Sequence, residues 1–350
     1  MHMADHPSLA WGLIGASDIA ETRMIPALRR EGHRILRVAS RSADHAREFS
    51  VRNEIPPTES DFSLETLLED PAVDAVYISS TNEQHLAHAA AAAAAGKHVL
   101  CEKPVSTDLD SAQKIVAACA DHGVVLAVNH HLPAAGTHRA IRKLVHDGAI
   151  GRVLSVNVRH TSLLPERLRG WRLSAAPGAG VVMDLTGHDA SVVNPLLGTR
   201  ALEATAITVR QGRWESAADD AAASVLLYED DVLVRFHDAF TTPYTPSYLE
   251  VHGELGSIHA PEVMTPEPIG SVFLRDSGGE REIDVPDRRH PYDITLDHFT
   301  RAVHGDGRPV VDGRDAVNAL RVCLAILESA ETGRRVSLNQ EPNPRAITSR

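Results

Sequence analysis

Short apolar runs and amphipathic stretches alternate along the first 130 residues. Runs at 9–14, 35–40, 75–79, 98–101 and 124–129 predict strands, and 17–31, 44–53, 84–95 and 107–122 predict helices. Thr107 is the expected N-cap of the last helix, with Asp110 three residues on in a capping-box arrangement. The alanine run 89–95 suits a helix lying close against a sheet, since alanine is the best helix former. Strands alternating with helical patterns of this length imply βαβ units and a parallel sheet.

After Pro133 the rhythm changes. A helix over 137–146 precedes a strand over 152–160, and 184–197 reads as a helix ended by Gly198, with Pro195 expected to kink it. Strand patterns follow at 204–211, 221–228, 232–237, 248–252 and 271–274 with no long helix between them, which implies a largely antiparallel sheet. Helices at 292–304 and 313–332 finish the pattern. The expected organisation is α/β with two domains, 1–130 on a doubly wound parallel sheet and 131–350 on an open, mostly antiparallel one.

Composition narrows the partners. At 350 residues the chain suits about two domains on a prior of roughly 150 residues each. Its net charge of −12 argues against nucleic acid, which needs clustered Lys and Arg. No apolar run approaches the ~18 residues of a membrane helix, so no membrane partner is expected. The first residues carry neither the basic nor the apolar region of a signal peptide, and Cys101, Cys119 and Cys323 are odd in number and widely spaced. Reduced thiols in the cytoplasm are therefore expected. The 20 histidines lack acidic or Cys partners at ligand spacing, so no metal is expected.

Gly12-Leu13-Ile14-Gly15-Ala16-Ser17-Asp18-Ile19-Ala20 follows the first strand and opens a helix, as a dinucleotide fingerprint must. Gly15 can make the tight turn and Ala20 is an allowed third position, while Ser17 stands where a second glycine would admit the pyrophosphate. The second strand ends in Ala39-Ser40-Arg41-Ser42, without the acid that reads an NAD ribose and with a guanidinium suited to a phosphate. NADP is favoured, with NAD as the alternative. Thr81-Asn82-Glu83-Gln84-His85 ends another strand, where Asn82 and His85 could reach ribose or nicotinamide, or Asn82 could simply cap the next helix.

Two further segments carry reaction chemistry. Gly96-Lys97-His98-Val99-Leu100-Cys101-Glu102-Lys103-Pro104 places a lysine at a strand's carboxyl end, where ligands bind in open parallel sheets, and a cis Lys103–Pro104 bond is expected. Asp184-Leu185-Thr186-Gly187-His188 sets a carboxylate and an imidazole four apart, on one face of a helix. In a ketone reduction His188 can supply the proton, its ordinary pKa lying near ~6.5. Lys103 can stabilise the developing alkoxide, and Asp184 can favour charged Lys103 or orient His188.

Taken together these peptides resemble the Gfo/Idh/MocA (glucose–fructose oxidoreductase / inositol dehydrogenase) family over nearly the whole chain. Thr81-Asn82-Glu83, Asn129-His130-His131-Leu132, Gly170-Trp171-Arg172-Leu173 and Phe236-His237-Asp238-Ala239-Phe240-Thr241-Thr242 are closest to its NADPH-dependent sugar-ketone reductases. The resemblance implies a Rossmann domain joined to an α/β domain that often mediates oligomerisation, here a dimer or tetramer. It implies cofactor contacts from Gly15, Ala16, Ser17, Asp18 and Ile19, and from Ser40 and Arg41. It adds Ser79, Ser80, Thr81, Asn82, Glu83 and Gln84, then Glu102, Lys103 and Asn129, with Trp171, Arg172 and Tyr292 approaching the nicotinamide side or the active-site mouth. Catalysis would rest on Lys103 and His188, with Asp184 beside them.

Some positions depart from that pattern. His45 stands where the reductases have an arginine, which leaves Arg41 to supply the 2′-phosphate charge. Arg159, Ser162 and Leu163 replace more aromatic residues, and Ala179 interrupts the usual glycine run. The expected substrate is a small sugar or polyol. The alternatives are an inositol or sugar dehydrogenase working oxidatively, and an NAD-dependent glycoside hydrolase of the same fold, against which the missing strand-two acid argues.

Overall fold

The structure, a computed structural model, describes residues 6–56 and 62–338. The chain divides into two compact units, Met1–His130 with Tyr292–Ala316, and His131–Pro291 with Val317–Arg350.

In the first unit, β1 (Ala10–Ile14), β2 (Arg34–Ala39), β3 (Ala75–Ile78), β4 (His98–Cys101) and β5 (Leu126–Val128) form a parallel sheet in the order β2-β1-β3-β4-β5. All of β1, β3 and β5 is buried, as expected where crossover helices cover both faces. The helix expected over 17–31 runs over 18–30, with a π turn at Ala20–Met24 inside it. Helices Ala43–Arg52, His85–Ala94 and Leu109–Asp121 occupy the other expected places. Asp108, not Thr107, caps the last of these, accepting from the Ser111 amide at 2.8 Å. A short helix at Leu64–Glu69 was not expected; Ser63 caps it and Leu67 is buried against Gly12. A Cβ on Gly12 would lie 2.7 Å from Leu67, so this glycine admits a neighbouring side chain.

The core of this unit joins Trp11, Leu13, Phe49, Tyr77 and Leu100 to Tyr292, Leu296 and Phe299. The rings of Trp11 and Phe299 are 5.2 Å apart. Segment 292–316, expected in the second domain, therefore belongs with the first. Its helix Pro291–Val303 carries the apolar stripe that closes that core, and the Val128 amide donates to Val311 at 3.1 Å.

The second unit is built on β6 (Val153–Thr161), β7 (Ala201–Val209), β8 (Ala221–Tyr228), β9 (Leu233–Ala239), β10 (Tyr248–Gly253), β11 (Gly256–Pro261), β12 (Phe273–Asp276), β13 (Gly279–Glu282) and β14 (Val336–Ser337). The sheet order is β13-β12-β11-β10-β6-β9-β8-β7-β14, with β6 and β9 parallel and every other pair antiparallel. Buried and exposed positions alternate along β8 and β9, so one face is packed and the other open. Ile207 of β7, Val225 of β8 and Leu233 of β9 lie exposed. A π turn at Val182–Thr186 precedes helix Gly187–Leu197, which runs through Pro195 and closes at Gly198 in the left-handed conformation.

Candidate active site

In an open parallel sheet the ligand crevice lies where strand order reverses, here beyond the carboxyl ends of β1 and β3. Gly15 and Ser79 meet there. Gly15 has φ +110°, and a Cβ on it would lie 2.8 Å from the backbone of Ser79, so only glycine fits. The Ser17 hydroxyl donates to Ser79 Oγ at 2.7 Å and accepts from the Ala20 amide at 3.2 Å. Ser17 thus shapes the first turn, while Ala16, Asp18 and Ile19 sit around it with their side chains at least partly exposed.

Ser40 follows β2, its amide bonded to Phe62 O at 3.1 Å, and Arg41 beside it is exposed. After β3, Ser80 Oγ bonds His88 Nδ1 at 2.9 Å, and Thr81 leads into a single 3₁₀ turn over Asn82–Gln84 that contains Glu83. No side-chain cap comes from Thr81 at that turn. His85 departs from its expected role. It is buried, with Nδ1 3.0 Å from Pro104 O and Nε2 3.2 Å from Ser80 O. Its ring ties the end of β3 to the turn after Lys103 and is not presented to a ligand.

Lys103 stands at the end of β4, and the Lys103–Pro104 bond is cis as expected. Its base is fixed by Glu102, whose Oε1 accepts from Tyr77 Oη at 2.5 Å and Asn129 Nδ2 at 2.6 Å. Oε2 of the same carboxylate accepts from the Lys103 amide at 3.2 Å. Glu102 and Asn129 are both buried, so this network positions the lysine's backbone. Tyr292 joins the same network through Asn129, 2 % exposed and part of the core. Burial, reinforced by the Lys103 charge, pushes His130 down to about 3 and keeps that imidazole neutral.

The second unit supplies the other expected groups. Arg172 Nε donates to Asp184 Oδ2 at 2.9 Å, an arginine partner 12 residues away that the Asp184/His188 spacing does not announce. The Arg172 guanidinium also lies 4.8 Å from the Trp171 ring centroid, and Trp171 is 42 % exposed. His188 is buried one turn beyond Asp184, its ring 4.7 Å edge-on from that of His131. Gly180, at φ +91°, donates to Arg172 O at 3.0 Å and so joins the Trp171-Arg172 turn to the π turn that holds Asp184. Arg169 stacks over Trp214 at 4.6 Å, a pairing between segments far apart in sequence and absent from the expected set.

These features fit a dinucleotide: a glycine turn with no room for a side chain at the switch point, and a fixed lysine two strands along the same edge. Among groups able to carry acid–base chemistry, the first unit has the Lys103 ammonium, and the second has the buried His188 imidazole and the Asp184 carboxylate charge-balanced by Arg172.

The profile of the oxidoreductase family with an NAD-binding Rossmann fold matches residues 9–130, and the GFO/IDH/MocA C-terminal domain matches 138–259. The chain is 40% identical over 329 residues to 1,5-anhydro-D-fructose reductase of Ensifer adhaerens, covering 94% of this chain and 98% of the relative. It is 31% identical to D-xylose 1-dehydrogenase (NADP(+)) 2 of Haloferax volcanii, over 95% of this chain and 100% of the relative. Its fold matches the aldose-aldose oxidoreductase of Caulobacter crescentus with a TM-score of 0.85 at 24% identity, covering 95% and 100% of the two chains. The chain belongs to the Gfo/Idh/MocA family of oxidoreductases.

Proposed function

We propose that the protein reduces a sugar-like ketone with NADPH. The carrying observation is the Glu102-anchored Lys103 at the carboxyl edge of a dinucleotide-binding sheet. Similarity to a 1,5-anhydro-D-fructose reductase supports the substrate class.

The nicotinamide, when bound, supplies hydride to the carbonyl carbon. Lys103 stabilises the negative charge that develops on the carbonyl oxygen. His188 gives that oxygen its proton. Asp184 holds Arg172 in place and balances its charge. Gly15, Ser17 and Ser79 receive the diphosphate at the switch point, and Ser40 and Arg41 receive the 2′-phosphate. Incubation with NADPH and 1,5-anhydrofructose, alongside dicarbonyls, aldoses, inositols and nitrophenyl glycosides, tests the reading. NADPH consumption with a ketone substrate is expected. Nitrophenol release without net NADPH loss would replace the reductase with a glycosidase.

Cofactor choice gives a second test. A hydrogen bond to a charged group is worth about 1.5–3 kcal/mol, so Arg41→Ala weakens NADPH binding roughly 10- to 100-fold and leaves NADH nearly unchanged. Equal losses for both nucleotides, read by fluorescence titration, would show that Arg41 does not read the phosphate.

We also place the protein in the cytoplasm, a reading supported by three buried cysteines outside any disulfide, Cys101, Cys119 and Cys323. A homo-oligomer formed through the open sheet face is supported by exposed Ile207, Val225 and Leu233; sedimentation showing only monomer would refute it.

A further inference from the structure

Behind His188, inside the second unit, lies a buried ionisable cluster that the reduction does not use directly. Asp189 follows His188 on helix Gly187–Leu197, and Asp238 sits on β9 directly beside His160 of β6 in the parallel register. Asp189 is 0% exposed and Asp238 1%. His160 Nδ1 lies 2.8 Å from Asp189 Oδ1, and Thr186 Oγ1 donates to Asp238 Oδ2. The two remaining oxygens, Asp189 Oδ2 and Asp238 Oδ1, are buried and receive no donor from another group. The carboxyls themselves are in hydrogen-bonding contact. One proton between them supplies both oxygens at once. Two bare carboxylates in so dry a site would repel each other and lack solvation.

We propose that Asp189 and Asp238 hold one proton in common, and that the single negative charge left on the pair, acting through His160, keeps His188 protonated in its working range. The inference rests on His188 as proton donor. Asp189, Asp238 and His160 are positioning residues in this scheme. Burial pushes Asp189 up to about 7 and Asp238 well above the carboxylate range, in keeping with a retained proton. The His160 and His188 rings are 6.4 Å apart. Other titratable groups of this unit near the cluster are His131, His138, and the Arg172–Asp184 pair. Burial pushes His138 down to about 4, so it stays neutral, and Arg172 balances Asp184.

The sign follows from charge. Asp238→Asn keeps one carboxylate and replaces the shared proton with an amide N–H. Asp189→Asn/Asp238→Asn removes the charge altogether, which disfavours imidazolium and lowers the His188 midpoint. A single charge at this range, in an effective dielectric of about 20, moves a midpoint by about one pH unit.

The test uses the full chain without nucleotide. Histidine NMR titration, with the His188 signal assigned from His188→Asn, is compared among the wild type, Asp238→Asn and the double variant. Infrared difference spectra of wild type against Asp238→Asn seek the C=O band of a protonated carboxyl at neutral pH. The expected result is a band in the wild type that Asp238→Asn lacks. With it, the His188 midpoint is nearly unchanged in Asp238→Asn and about one unit lower in the double variant. Absence of the band, or one midpoint shared by all three proteins, overturns the proposal. If the double variant does not fold, the infrared comparison decides alone. Because neither measurement needs turnover, failure of His188 as the donor would show separately, as normal catalysis in His188→Asn.

Discussion

Replacing His188 with asparagine is expected to lower kcat by about 10²–10⁴-fold, the usual cost of losing a positioned acid–base group. NADPH affinity should change little, since His188 belongs to the second unit while Gly15, Ser17, Ser40, Arg41 and Ser79 belong to the first. Asparagine keeps a polar side chain in a buried position, so the loss reads chemistry ahead of folding. Single-turnover rates with a confirmed ketone substrate, together with a thermal melt, make the measurement. Near-normal turnover would move the proton to Lys103 or to water.

Lys103→Met is expected to lower kcat by about 10²–10³-fold, the scale seen when one donor to a developing oxyanion is removed. Methionine keeps the length of the side chain and leaves the Lys103 amide to donate to Glu102 as before. The Tyr77–Glu102–Asn129 network should therefore survive, and an unchanged melting temperature would show that it has. Some weakening of NADPH binding accompanies the loss of a cation at the sheet edge. Combining Lys103→Met with His188→Asn should cost much less than the product of the single losses, because both roles belong to one chemical step. A fully multiplicative loss would mean that the two groups serve separate steps.

What was legible in the sequence was local. The glycine turn at Gly15, the lysine before Pro104 and the Asp184/His188 spacing are each written within a few residues, and periodicity carried β1 to β10. Strand β13 was not legible: Gly279–Glu282 is exposed throughout and has no apolar alternation, existing through its pairing with β12. Strand β11, Gly256–Pro261, is bounded by a glycine and a proline that read as turn residues. The same limit holds at the site. Arg172 lies 12 residues from Asp184, and Asp238 about 50 from Asp189; nothing local announces either pairing. The position of His85 at a strand end says nothing of the direction its ring takes, which the carbonyls of Ser80 and Pro104 decide.

The return of residues 292–316 to the first unit has a consequence for how the protein is made. Trp11 finds Tyr292, Leu296 and Phe299 only after about 280 further residues have been synthesised. Residues 1–130 released alone would lack part of their apolar cover, and no single cut in the chain yields either unit whole. A nascent chain thus completes its amino-terminal core late, through contacts of very long sequence separation, which slow folding. Until then the amino-terminal half carries exposed apolar surface of the kind that engages chaperones during synthesis.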